Sequence, residues 1–222
     1  MNSFNLAAYA GLLRFPSFVK ISFLVGFLIM SVMGNAQLQW GVKAGLNLST
    51  STEGHGGSET KFGGYGGAKI WVPLGKRFFL EPELLFSGKG YRNQSYNEDR
   101  SAYRFNYITV PVLFSYLFDC KTRLLAGPEI GYLVNAKANY QGSGYNETRD
   151  IMSAISSKTD VGLAMGLDHQ FTKRMHAEIR YVLGLTKVHQ DYSYPSRTIS
   201  VAGYNRVIQV GLAYDLAKKK SQ

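Results

Sequence analysis

From Leu38 onward the chain alternates apolar and polar residues along eight stretches of roughly ten residues each, and the gaps between them are alternately long and short. A period of two places successive side chains on opposite faces of an extended strand. Eight half-apolar strands joined by alternating tight turns and long polar segments is the pattern of a small barrel whose outer face meets lipid. It predicts an all-β fold, an eight-stranded antiparallel up-and-down transmembrane β-barrel.

The rows can be read residue by residue. In Leu38 to Ser49, the even positions Leu38, Trp40, Val42, Ala44, Leu46 and Leu48 oppose Gln39, Gly41, Lys43, Gly45, Asn47 and Ser49. Lys61 to Val72 follows, with Gly63, Gly64, Gly66 and Gly67 allowing a sharp bend. In Phe78 to Tyr91, Leu80, Leu84 and Phe86 oppose Glu81, Glu83, Ser87 and Lys89. Tyr103 to Phe118 contains Pro111, which lacks a ladder donor and so predicts a bulge. Arg123 to Ala136, Thr159 to Phe171, Met175 to Val188 and Tyr204 to Leu216 complete the eight.

Pro73–Arg77, Asp119–Thr122 and Thr172–Arg174 read as tight turns, whereas Thr50–Thr60, Arg92–Ala102, Lys137–Lys158 and His189–Gly203 read as long polar loops. Short periplasmic turns and longer extracellular loops put both termini in the periplasm. Tyr91, Tyr96, Tyr103, Tyr140, Tyr145, Tyr192, Tyr194 and Tyr204 gather where strands meet long loops, and those nearest the strands are expected to girdle the interface.

An eight-stranded barrel has an interior only wide enough for side chains to fill. The inward rows hold Glu81, Glu83, Glu129, Asp160, Asp168 and Glu178 together with Lys43, Lys69, Lys89, Arg123 and Arg180. Six carboxylates against five cations is close to neutral, as buried charges require if they are to be paired. The outward rows are almost free of charge, consistent with the ~2–4 kcal/mol that a midplane Lys or Arg costs on a lipid face. A lipocalin-like cup would show the reverse, with an apolar cavity. These eleven residues form the expected lumen charge network.

The 222 residues carry a formal charge of +10, but the basic residues are dispersed rather than clustered, so no nucleic-acid partner is expected. A slightly negative mean hydropathy excludes a helical multi-span protein. Residues 1–36 read as a signal peptide: Arg14 and Lys20 precede the apolar run Ile21 to Val32, and Gly34-Asn35-Ala36 places small residues before a cleavage after Ala36. The barrel domain then spans 37–216 with a lysine-rich tail at 217–222. Beyond the signal, 23 basic and 15 acidic residues leave +8.

Chemical motifs are sparse. The one cysteine, Cys120, falls in a turn and has no partner for a disulfide. Glu81 and Glu83 share a strand face at a spacing compatible with acid/base work, yet a structural ion-pair network accounts for them. His169 and His176 flank the Thr172 turn without a third ligand, and His55 and His189 fall in loops. The Gly63–Gly67 cluster lacks the Lys-Ser/Thr of a phosphate loop. No catalytic residue, cofactor or metal is expected.

Gly41-Val42-Lys43-Ala44-Gly45-Leu46-Asn47, Leu80-Glu81-Pro82-Glu83-Leu84-Leu85-Phe86-Ser87, Tyr107-Ile108-Thr109-Val110-Pro111-Val112-Leu113 and Gly127-Pro128-Glu129-Ile130-Gly131 occur in that order. Together they resemble the PorT-like outer-membrane β-barrel ("porin family") proteins of Bacteroidota, over nearly the whole chain after the signal. The resemblance implies a place in the bacterial outer membrane and makes Pro111 an expected residue. It transfers no catalytic residues; one founding member is associated with a protein-secretion system. The expected role is structural, binding or secretion-accessory and non-enzymatic. The protein is expected to be a monomer surrounded by outer-membrane lipid, with extracellular loops available to a protein or glycan partner. A narrow pore for small solutes, or a lipid-modifying enzyme, are the alternatives.

Overall fold

An extended strand in lipid is satisfied only if neighbours on both sides take up its backbone hydrogen bonds, which a closed sheet provides. The computed structural model describes residues 39–52, 58–94, 100–142, 144–155, 157–194 and 197–216. The expected signal peptide and C-terminal tail lie outside them. The strands are β1 (Gln39–Ser51), β2 (Ser58–Pro73), β3 (Phe78–Gln94), β4 (Arg100–Leu117), β5 (Thr122–Gly142), β6 (Tyr145–Asp150), β7 (Thr159–Gln170), β8 (Met175–Tyr194) and β9 (Arg197–Asp215). A 3-10 turn at Met152–Ala154 follows β6.

Every pairing is antiparallel and each barrel strand pairs with the next. The ring closes where β1 meets β9, with Gly45 opposite Gly211, and β5 passes over β6 to pair with β7, with Glu129 opposite Gly162. The barrel is therefore a closed eight-stranded antiparallel β-barrel; β6 is a short extra strand hung on the far end of β5. Outward-facing Val42, Leu84, Phe114, Ile130, Ile179 and Leu212 are exposed, while polar and charged side chains alternate with them into the interior.

Three turns lie at one end: Pro73–Arg77, Asp119–Thr122 and Thr172–Arg174. The first and last described strands finish there too, with Leu216 N donating to Trp40 O (2.9 Å). Asp119 organises its turn by accepting from the backbone amides of Lys121 and Thr122 (2.7 and 2.6 Å), which hold its carboxyl below the usual aspartate range. Cys120 is free and exposed beside it.

At the opposite end the structure departs from the loop boundaries expected from sequence. Strands β3, β5 and β8 run on to Gln94, Gly142 and Tyr194, and β2, β4 and β9 begin at Ser58, Arg100 and Arg197. Much of the four polar segments is thus strand. Above the lipid the outer face of a strand meets water instead of hydrocarbon, so an apolar outward row is no longer required, whereas ladder hydrogen bonds continue to form. The segment Asn139 to Arg149, expected as a solvated loop, is instead the β5–β6 hairpin.

Pro111 does not make a bulge. It stays in register opposite Glu129; on the β3 side the partners skip from Pro82↔Val112 to Leu85↔Thr109, and on the β5 side they skip just beyond it, from Pro111↔Glu129 to Phe114↔Ala126, where β5 carries Gly127 and Pro128. An antiparallel residue directs its N–H to one neighbour, so each proline withholds a donor from one ladder only. The register shifts fall nearer the loop end, at Thr60/Tyr65, Asn106/Tyr107 and Leu183/Lys187.

The tyrosine girdle is also corrected. Tyr91 and Tyr103 are buried and stack with centroids 4.7 Å apart, and Tyr140 meets Tyr103 edge-on, all inside the mouth. Tyr145 is exposed and Tyr204 half-buried. Tyr96 and the side chains of Tyr192 and Tyr194 lie outside the described residues.

Candidate functional site in the barrel lumen

The inward residues of adjacent strands are brought level by the register, so charges distant in sequence meet across the lumen. All eleven residues of the expected network are buried. They form two groups.

The larger group contains four cations and four carboxylates. Arg180, on β8, clamps Glu83 with two bonds (Nη1 to Oε2 3.0 Å, Nη2 to Oε1 2.9 Å) and reaches Glu178 Oε1 at 2.7 Å. Lys43, on β1, bridges the same two carboxylates at 3.2 Å and 2.8 Å. One layer away, Lys69 lies 3.3 Å from Glu81 and 3.4 Å from Asp168. Arg123 meets those same acids at 3.4 and 2.7 Å. Removing such charges from water is costly, and here each charge faces at least two of opposite sign, which offsets the cost.

The smaller group joins Lys89 to Glu129 (3.0 Å) and Asp160 (3.2 Å). Asp160 also accepts from Asn205 Nδ2 (2.9 Å) and the Thr186 hydroxyl (3.2 Å), which spread its charge over neutral donors. Between the groups, Gln209 donates to Asn47 (3.0 Å) and Asn47 to Ser87 (2.9 Å).

Three further residues belong to the lattice without having been singled out for it from sequence. His176 links Asp168 (Nδ1, 2.9 Å) to Asp215 (Nε2, 3.0 Å). Trp71 lies under the Lys69 ammonium, 4.3 Å from its ring centroid. Tyr65 lies across the Gly45/Gly211 pair, where a Cβ on either glycine would strike its ring. His176 and Trp71 occupy the inward row, so parity would have found them; the Tyr65 contact depends on the closure of β1 on β9, which no local pattern encodes.

Tyr91, Tyr103, Phe105, Tyr107, Leu133, Ile151 and Ile155 form an apolar cluster near the loop end. The 3-10 turn delivers Ile151 and Ile155 into it, and Ile151 N donates to Ala136 O at 3.1 Å. The described mouth thus carries a buried apolar cluster above a buried, ion-paired interior.

This arrangement holds charge rather than spending it. The carboxylates expected as the best acid/base candidates, Glu81 and Glu83, both face cations. His169 and His176 point to opposite faces: His169 is exposed beside the Thr122 hydroxyl (3.1 Å), and His176 is interior. Among the described residues no three His, Cys, Asp or Glu side chains are grouped to hold a metal ion.

Solved β-barrels are among the structures to which this chain is similar. Neisserial surface protein A matches with a TM-score of 0.48 and 11% identity, over 79% of this chain and 96% of its own. Ail of Yersinia pestis, in complex with the heparin analogue sucrose octasulfate, matches at 0.43 and 14% identity, over 80% and 99%. The outer membrane protease OmpT of Escherichia coli matches at 0.43 and 10% identity, over 82% and 96%. No curated relative matches the sequence. The outer membrane protein β-barrel domain matches residues 33–190, from before β1 into β8, and the chain therefore belongs to that family of bacterial outer-membrane proteins.

Proposed function

We propose that the protein is a non-enzymatic, non-conducting integral barrel of the PorT-like group, and that its working surface is the loop end. The observation that carries this reading is the ion-paired lumen beneath the aromatic cluster of Tyr91, Tyr103 and Ile155. Every lumen carboxylate of the larger group faces a cation, which suits a rigid support better than proton transfer or solute passage. The strands that continue past the apolar band, and the β5–β6 hairpin with every β6 residue exposed, offer a surface for a protein or glycan. In this reading the loop end faces outside, the tight turns and both termini face the periplasm, and the barrel works as a monomer because closure leaves no unpaired edge within lipid. Residues 1–36 act as its export signal. Planar-bilayer recording tests it: purified protein should insert without a steady conductance, and a stable open level that scales with salt would overturn the non-conducting role.

A further inference from the structure

Above the apolar band, on the outward face of β3, β4 and β5, four cations surround one small residue. Register places Arg92 directly opposite Ala102, Arg104 directly opposite Lys137, and Ala102 opposite Asn139. Arg100 and Arg104 flank Ala102 on its own strand, and all four cations are exposed. Directly opposed side chains have Cβ atoms about 5 Å apart and diagonal ones about 7–8 Å, so like charges here repel one another. Inside the wall, Lys61 feels the charges of Arg104 and Arg92 as well.

Two acids border the patch, Glu59 opposite Arg92 and Asp150 opposite Lys137. Neither closes an ion pair with it, and among the described residues Arg92, Arg104 and Lys137 form no ion pair. That contrasts with the lumen, where charges are matched. It also contrasts with the turn end, where Arg77 and Arg174 each donate to a tyrosine hydroxyl (3.4 and 3.2 Å).

Height determines what the patch meets. Arg104 lies four residues beyond the exposed Ile108, and Lys137 three beyond the exposed Val134. At about 3.3 Å per residue and the tilt of barrel strands, the patch stands roughly 10 Å above those side chains, in the headgroup zone. Bidentate guanidinium groups at that depth suit phosphate.

We propose that Arg92, Arg100, Arg104 and Lys137 form a binding site for the phosphate headgroup of a phosphorylated lipid, with Ala102 as its floor. The assignment to the outer leaflet rests on the orientation proposed above. The occupant is lipid rather than free anion because the cations project from the barrel wall directly over its apolar band.

The test is native mass spectrometry of the purified protein in zwitterionic micelles, titrated with a diphosphorylated glucosamine-disaccharide glycolipid. Wild type should retain the lipid, and its dephosphorylated form should not be retained. R92Q/R104Q/K137Q should weaken retention by at least about tenfold, in line with the roughly one-decade effect of one or two charges at an anionic surface. Ala102→Glu should do likewise while keeping every cation, and R77Q/R174Q should leave retention unchanged. Heat-modifiable gel mobility reports that each variant is folded. Equal retention by the triple variant, or of the dephosphorylated lipid, would overturn the site; displacement by equimolar inorganic phosphate would overturn the choice of lipid. Orientation is read separately at the single native thiol, Cys120: an impermeant maleimide should label it only after the outer membrane is permeabilised. Labelling in intact cells would overturn the outer-leaflet assignment and leave the phosphate contact standing.

Discussion

Arg180 and Glu83 form a two-pronged ion pair in the barrel interior, with both side chains shielded from solvent. The two residues are 97 positions apart and lie on β8 and β3, so the pair ties opposite parts of the ring together. Lys43 and Glu178 complete a four-membered neutral cluster around it.

Breaking one side of a buried pair leaves the other charge without compensation, at a cost of about 3–5 kcal/mol. Glu83→Gln is expected to destabilise the folded barrel by that order, measured by urea unfolding in lipid vesicles. E83Q/R180M removes one charge of each sign and should recover most of the loss, because Lys43 and Glu178 still neutralise each other. If the double variant loses the sum of the two single losses, the cluster is not energetically coupled.

Ile155 is held in the mouth cluster by packing. Truncating a buried Ile to Ala removes about 2–4 kcal/mol of burial and cavity energy. Ile155→Ala should therefore speed hydrogen exchange across the 3-10 turn while leaving that of the lumen strands unchanged. Unaltered protection at Ile151 and Ala154 would mean that this residue does not anchor the segment.

Every residue of β6 is exposed at the loop end; among the described residues the ion pair within the β5–β6 hairpin is Glu147 with Arg149 (2.7 Å), and Asn139 donates across it to Asn146 and Thr148 (2.9 and 3.0 Å). Replacing Gln141–Asp150 by a short Gly-Ser link should leave heat-modifiable mobility intact and abolish capture of an envelope partner by the purified barrel. Undiminished capture would exclude the hairpin as the contact.

Asp119 has a depressed folded pKa because two backbone amides donate to it. For a carboxylate shifted downward, the contribution to the turn is present above the unfolded value and is lost only as pH falls through the folded one. From neutral pH down to about pH 4, the ordinary aspartate range, protection of the Lys121 and Thr122 amides should hold, after correction for intrinsic exchange rates. Asp119→Asn should lower it throughout. A wild-type turn that opens already near pH 5 would contradict this assignment.

Within the lipid band, much of the architecture is legible in the residues. The alternation of Val42 with Lys43, or of Leu84 with Glu83, separates outward from inward side chains because strand geometry is local and has a period of two. Outside the band that signal vanishes, which is why the extended ends of β3, β5 and β8 and all of β6 read as loop. Pro111 shows a different limit: the lost donor is visible in the sequence, but which neighbour it faces is not.

By itself, then, the sequence determined the number of barrel strands, the two faces and the near-neutral stock of interior charge. Only the tertiary structure decided the partners: Arg180 with Glu83 rather than Glu129, Lys69 with Glu81 and Asp168, Tyr91 stacked on Tyr103, and four cations gathered about Ala102. Parity is set between one residue and the next, whereas partners depend on how eight strands are staggered when the sheet closes, a property of the whole ring.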